Sequence, residues 1–72
     1  PFSEFVCYPN PVPANASFVV SHPSELHDLK GRVVQRFLYA GIHVITVPRG
    51  LYFLQENDGY EPNYNVIKIV VE

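Results

Sequence analysis

Ser24, His27 and Asp28 bring together the side-chain types of a hydrolase triad: a hydroxyl, an imidazole and a carboxylate. In a working triad the base takes the hydroxyl proton and the carboxylate orients the base. The three groups come from separate loops around a pocket. Here they fall within five consecutive positions, where they rarely stand in line. The other chemistry-bearing residues are His22, His43 and the lone thiol of Cys7. No pair of histidines has the spacing of a helical or finger-type zinc site. His22 and His27 can meet around a turn with Glu25 or Asp28, but the plainer reading is surface histidines beside loops. No catalytic residue, metal or cofactor is expected.

Binding chemistry has three further candidates. Asn15-Ala16-Ser17 is a glycosylation sequon in a secreted eukaryotic protein. Tyr8, Tyr39, Tyr52, Tyr60 and Tyr64 can form a sugar-binding platform, or can be half-buried sandwich residues with wet hydroxyls. Lys30, Arg32, Arg36 and Arg49 form one basic patch if the turns near 31 and 50 share an end of the fold. A solvated rim is the default reading of such a patch, and a docking surface the sharper one.

The chain has 72 residues, which makes one small domain at most. A domain of this size buries only about 60% of its unfolded surface, so help from a neighbouring domain or partner is plausible. A single cysteine excludes an internal disulfide. The apolar share is 47% and the charged share 17%, which argues against disorder. A net charge of −2 makes nucleic acid an unsuitable partner. No apolar run approaches the ~20 residues of a membrane-spanning helix. Pro1-Phe2 reads as the start of a fragment from a longer protein, and a last strand running to Glu72 suits a chain end.

The elements that must position these residues centre on Val47-Pro48-Arg49-Gly50-Leu51-Tyr52-Phe53-Leu54. Pro48 and Gly50 suit a type I turn. The four apolar residues after it read as a strand with side chains to bury on both faces, inside a sheet packed on something else. Turn signals at Gly31, Gly41, Gly50 and Gly59 recur at the spacing of an all-β sandwich or barrel. Strands are predicted near 4–8, 17–21, 25–28, 32–38, 42–47, 51–56 and 64–71. Pro9, Pro11 and Pro13 cannot donate to a ladder, so 9–15 is predicted as an extended or turning loop. Asp28 to Gly31 reads as a hairpin turn with Gly31 left-handed. A rival reading remains for 24–38. Leu26, Leu29, Val33, Val34, Phe37 and Leu38 also fit an amphipathic helix capped by Ser24, at a cost of about 1 kcal/mol for Gly31.

Four stretches resemble one family when taken in order. They are Tyr8-Pro9-Asn10-Pro11, Leu26-His27-Asp28-Leu29-Lys30-Gly31-Arg32-Val33-Val34, Pro48-Arg49-Gly50-Leu51-Tyr52-Phe53-Leu54 and Lys68-Ile69-Val70-Val71. Together they resemble the C-terminal sorting domain of the type IX secretion system, over nearly the whole chain. The resemblance implies an immunoglobulin-like β-sandwich of about seven short, mainly antiparallel strands, with residues 1–72 forming a single domain at the C-terminus of a larger exported protein. The domain would be a folded address, not an enzyme, read by the outer-membrane translocon of a Gram-negative cell. A sortase-like peptidase then removes it in many cargos, and the cargo passes through the periplasm to the outer membrane, the cell surface or beyond.

Residue by residue, Asp28, Gly31 and Arg32 match the family's Asp-x-x-Gly-Arg hairpin, and Gly50 with Tyr52 its Gly-x-Tyr. Tyr8, Pro9, Asn10 and Pro11 match the end of its first strand. Lys68, Ile69, Val70 and Val71 match its terminal strand. Arg32, Arg49 and Lys68 are the natural contacts for the translocon, since the others read as fold-forming. The chain departs from the family in ending at Glu72, in a curtailed strand before Asp28, and in a long connection over Asn57–Asn63. The rival functions are an immunoglobulin-like interaction or bracing module of a surface protein, and a small carbohydrate-binding module. An isolated domain of this kind also carries the risk of strand-mediated dimers, and its own upstream cargo domains are further potential partners.

Overall fold

The computed structural model describes residues 4–57 and 65–72. Within them lie seven strands: β1 (Cys7–Tyr8), β2 (Ser17–Val20), β3 (Ser24–His27), β4 (Val33–Phe37), β5 (Gly41–Val44), β6 (Gly50–Glu56) and β7 (Val66–Val71). They form a three-stranded sheet in the order β1-β2-β5 and a four-stranded sheet in the order β4-β3-β6-β7. Every strand pairing is antiparallel. The two sheets pack face to face as a small immunoglobulin-like sandwich. Relative to the constant-type immunoglobulin arrangement, the fourth strand has moved to the edge of the sheet that holds the third, sixth and seventh.

Strand alternation builds the core. Phe18 and Val20 of β2 face Leu26 of β3, Phe37 of β4, Tyr52 and Leu54 of β6, and Ile69 and Val71 of β7, all buried. Ile45 and Val47 continue beyond β5 into the same core, and Phe5 and Val12 complete it. The Phe18 and Phe37 rings meet between the sheets at 5.8 Å. Each such side chain contributes about 1.5–3 kcal/mol by leaving water, so these residues carry most of the fold's stability.

The segment 24–38 is a β-hairpin, which settles the helix alternative. Ser24 pairs with Phe37 and Leu26 with Gln35. A bulge between Leu26 and His27 then shifts the register, so that His27 faces Val33. Burial still alternates along both strands, and the spacing imitates a helix because the apolar Leu29, Val34 and Leu38 are exposed positions and not core ones. Leu29, an apparent core position of that helix, is exposed on the turn.

Two expectations are corrected. The first strand is only Cys7–Tyr8, because Pro9 ends it and its N-terminal neighbours use other partners. Val6 N–H donates to Ser21 Oγ at 2.8 Å, and the Val6 carbonyl accepts Ser21 N–H at 2.9 Å. The second concerns β6. It lies between β3 and β7, but only Tyr52 and Leu54 point inward. Leu51 and Phe53 alternate onto an outer face that no described element covers and are 38% and 36% exposed. The Asn57-Asp58-Gly59 turn, most of the long 57–63 connection, Tyr60 and Tyr64 lie outside the described residues.

Candidate functional site

The triad residue types are not brought together. Ser24 and His27 fall on opposite faces of the four-stranded sheet, because they are separated by an odd number of strand positions. Ser24 is buried toward the core, and its Oγ finds no hydrogen-bond partner among the described residues. His27 points outward. Its Nδ1 lies 3.2 Å from the Gly31 carbonyl, and its Nε2 lies 3.7 Å from Glu25 Oε1. His22, although only five residues from His27, makes a separate contact: its Nδ1 meets Ser21 Oγ at 2.8 Å. Among the described residues no cluster of three or more His, Cys, Asp or Glu side chains is placed to hold a metal. Cys7 is a free, half-buried thiol that burial pushes up from its ordinary pKa.

The described tyrosines do not share a platform. Tyr8 is exposed on the outer face of the three-stranded sheet, and Tyr39 is exposed on the β4–β5 turn. Tyr52 is buried between the sheets, and its hydroxyl donates to the Pro48 carbonyl at 2.6 Å. This bond ties the start of β6 to the corner that precedes it, as a tyrosine corner does. The chain bends at Val47 and Arg49, and the Tyr52 hydroxyl is what fixes that corner. Gly50 has φ 156°, and a Cβ there would lie 3.6 Å from Tyr52 Cε2. A side chain at this position would strain the backbone beside the ring that closes the corner.

Asp28 organises the β3–β4 hairpin by itself. Its Oδ1 accepts the N–H groups of Lys30 and Arg32, both at 2.9 Å, and its Oδ2 accepts Arg32 Nε–H at 2.9 Å. Gly31, at φ 83°, donates its N–H to the Asp28 carbonyl at 3.0 Å. The Arg32 main-chain N–H leads the donors that hold the Asp28 carboxyl below its ordinary pKa. Asp28, Gly31 and Arg32 thus form one closed loop, in which Arg32 engages its Nε while its side chain stays largely exposed.

The basic residues divide. The antiparallel register of β3 and β6 puts the 28–32 hairpin beside the start of β6. Asp28, Leu29, Lys30, Arg32, Gly50, Leu51 and Tyr52 line an open depression there. Arg49 adjoins it in the chain. Arg36 lies further along β4 and is paired with Glu25 at 3.1 Å, so it leaves the patch. Lys68 sits across from Phe53 on the outer face. Among the described residues, no ion pair holds Lys30, Arg49 or Lys68.

The most specific polar geometry lies at the sheet edges. Asn10 Nδ2 donates to the Lys68 carbonyl at 2.7 Å, and Asn10 Oδ1 accepts Val70 N–H at 3.1 Å. Val12 then pairs in parallel with the end of β7. Val12 N–H donates to the Val70 carbonyl, Glu72 N–H to the Val12 carbonyl, and Ala14 N–H to the Glu72 carbonyl, all at 2.8–2.9 Å. The outer edge of β7 is therefore covered from Lys68 to Glu72. On the other flank, Gln35 Nε2 donates to the Val44 carbonyl at 2.8 Å and Gln35 Oε1 accepts Thr46 N–H at 3.0 Å. The outer edge of β4 has no neighbouring strand.

Gln35 escaped the sequence reading. The available signal was a polar amide two positions before Phe37, on the core-facing side of a strand. Asn10 stood in a family-like stretch, but its partner is at the far end of the chain and no local pattern names it. Ile69 and Val71 are buried in the core, Val70 faces outward, and Pro9 and Pro11 each follow a cis peptide bond. Comparison with protein-family models, with curated proteins and with solved structures finds no match to this chain.

Proposed function

We propose that this chain is a non-enzymatic sorting domain of the type IX secretion kind, directing a larger cargo across the outer membrane to the cell surface. One observation carries the reading: the four family-like stretches, scattered along the chain, are neighbours in space. Leu26 and His27 pair with Leu54 and Phe53. Gly50, Tyr52 and Phe53 pair with Val71, Ile69 and Lys68. Asn10 closes the far side of Lys68 and Val70. The stretches thus lie side by side in the fold, with the terminal strand held between the third stretch and the first, although Leu26, Tyr52, Leu54, Ile69 and Val71 within them are buried in the core. Such an arrangement suits a folded address, in which the core residues hold the shape and the exposed ones are left for a receptor to read. Lys30, Arg49 and Lys68 are its unpaired cations among the described residues, and of these Arg49 and Lys68 supply the proposed contacts with the translocon. Arg32 contributes through the loop it closes.

The test fuses residues 1–72 to the C-terminus of a periplasmic reporter in a cell with a type IX apparatus. Protease accessibility of the reporter at the cell surface is scored. Surface exposure that is lost with Arg49→Glu and Lys68→Glu, in a domain whose urea midpoint is unchanged, supports the reading. The size of the surface product reports removal by a peptidase. A reporter that stays folded in the periplasm overturns it. The second reading, an interaction or bracing module, is favoured by the apolar outer face of the three-stranded sheet.

A further inference from the structure

The depression between the 28–32 hairpin and the start of β6 has walls of two kinds. Leu29, Leu51 and Tyr52 are its apolar side, and Lys30 and Arg32 its cationic side. Arg49 immediately precedes Gly50, which completes the lining. Three of the chain's five Lys and Arg therefore gather at one corner of a domain whose net charge is −2. Asp28 is the carboxylate of the lining, and Arg32 already pairs with it at 2.9 Å. Glu72, next after Val71 in the ladder opposite Gly50, lies on the other flank of β6, since β6 stands between β3 and β7.

Asp28 decides what kind of anion this corner can take. Successive main-chain N–H groups in a turn cradle a phosphate where they converge on open solvent. Here those of Lys30 and Arg32 go to Asp28 Oδ1, and that of Gly31 goes to the Asp28 carbonyl. Recognition of an anion is left to side chains. Asp28 Oδ2 holds Arg32 Nε at 2.9 Å and thereby orients the guanidinium, whose two terminal nitrogens have no partner among the described residues. An oriented guanidinium with those nitrogens unused is a fork for a carboxylate. Size narrows the choice further. The depression holds about 260 Å³, below the ~300–1,000 Å³ of pockets that bury a small molecule, so it takes a side chain and not a cofactor.

We infer that this depression docks a segment of a partner protein in which an Asp or Glu stands beside an apolar side chain. The apolar side chain enters against Leu29, Leu51 and Tyr52. The carboxylate meets the Arg32 fork, with Lys30 beside it, and Arg49 adds to the attraction. Charge selects this occupant. The same corner of a second copy would set cations against cations. A bilayer would need more protruding apolar surface than Leu29 alone provides, because Leu51 and Tyr52 lie back in the sheet. One side chain buried and two exposed ion pairs make a weak contact, with a dissociation constant on the order of 1 mM for an isolated segment. The sorting reading is tested through Arg49 and Lys68 and this contact through Lys30 and Arg32, so either can fail alone.

Amide NMR of the 72-residue chain tests it, by titration with the capped pentapeptide Gly-Glu-Leu-Glu-Gly to about 10 mM. The expected result is saturable shifts at Leu29, Lys30, Arg32 and Leu51. The same peptide with Gln in place of both Glu should bind at least about tenfold more weakly. Lys30→Glu in the protein should weaken binding at least about fivefold. Its urea midpoint should hold, because only the main-chain N–H of Lys30 serves the hairpin. Arg32→Lys keeps the charge but not the fork and should weaken binding at least about threefold. Five outcomes overturn the inference. Three concern the peptide: no shift at the highest concentration, equal binding of the glutamine peptide, or binding indifferent to both protein variants. The fourth is equal shifts from sodium acetate or inorganic phosphate at the same concentration, which would leave an ion site only. The fifth is shifts at these residues without peptide, either on raising the protein concentration or on adding phosphatidylglycerol vesicles, which would give the corner to a second copy or to lipid.

Discussion

Asn10 and Gln35 make the same pair of hydrogen bonds on opposite flanks of the sandwich. Each side-chain amide donates to the carbonyl of one strand residue and accepts the N–H two residues later. The pairs are Lys68 and Val70 for Asn10, and Val44 and Thr46 for Gln35. A primary carboxamide has the donor and acceptor of a peptide group, so each amide stands where the next strand's backbone would pair. Exposed strand edges are templates for aggregation, and this device closes them without a further strand. Asn10→Ala and Gln35→Ala should each lower stability by about 1–2 kcal/mol, the worth of two partly exposed hydrogen bonds. Amide exchange should quicken at Val70 in the first variant and at Thr46 in the second. Asn10→Asp should cost as much as Asn10→Ala, because a carboxylate cannot donate to the Lys68 carbonyl. Urea unfolding of the variants measures the first effect and hydrogen exchange the second.

The Tyr52 hydroxyl and the Tyr52 ring do separable work. Tyr52→Phe removes only the bond to the Pro48 carbonyl. That carbonyl belongs to an exposed residue and can turn to water, so the loss should be about 1 kcal/mol. Tyr52→Ala also removes a buried ring between the sheets and should cost about 3–5 kcal/mol, much of what a domain this small has to spare. Gly50→Val should lie between the two, since it forces a β-branched residue to φ 156° beside that ring. Urea midpoints in that order, wild type above Tyr52→Phe above Gly50→Val above Tyr52→Ala, are the expected result. A Tyr52→Phe midpoint equal to wild type would show that the corner does not depend on the hydroxyl.

Much of this fold is legible in the chain because its punctuation is local. Gly31, Gly50 and the prolines at 9, 11 and 13 break the apolar runs near where the strands break. The Asp28 loop is equally local, since donor and acceptor lie within four residues of each other. What escapes is non-local. Which face of β5 or β6 is covered depends on how many layers the domain has, and a 72-residue chain has two. Leu51, Phe53, Ile42 and Val44 therefore face outward although their residue types argue for burial. The helix-like spacing over 24–38 arises because Leu29, Val34 and Leu38 are apolar but exposed on the hairpin. The edge functions of Asn10 and Gln35 follow from sheet order alone.

Asp28 should make stability fall at acid pH. Hydrogen bonds led by the Arg32 main-chain N–H hold its carboxyl below the ordinary value of 3.8 that it regains on unfolding. The folded state thus favours the ionised form. The stabilisation is fully present above the ordinary value. It fades as the pH falls toward the lower value of the folded state, and below that value it is gone. Asp28→Asn should remove this part of the pH dependence: the difference in urea midpoint between wild type and variant should be constant near neutrality and shrink below about pH 4. A difference that stays constant into that range would mean that the carboxyl's charge contributes nothing to the loop.

Ser24 is the residue whose replacement should raise stability. Its side chain is 2% exposed, on the inner face between the two sheets, and its hydroxyl meets no partner among the described residues. A buried hydroxyl without a partner costs about 1–3 kcal/mol relative to one left in water. Alanine fits the same space and carries no polar group, so Ser24→Ala should gain about 1 kcal/mol once the small loss of packing is subtracted. Ser24→Val would add bulk beside Phe37 and Glu56, its neighbours across the ladder, and should gain less or lose. Thermal and urea unfolding of the two variants measure this. A Ser24→Ala variant less stable than wild type would show that the hydroxyl is hydrogen-bonded in solution.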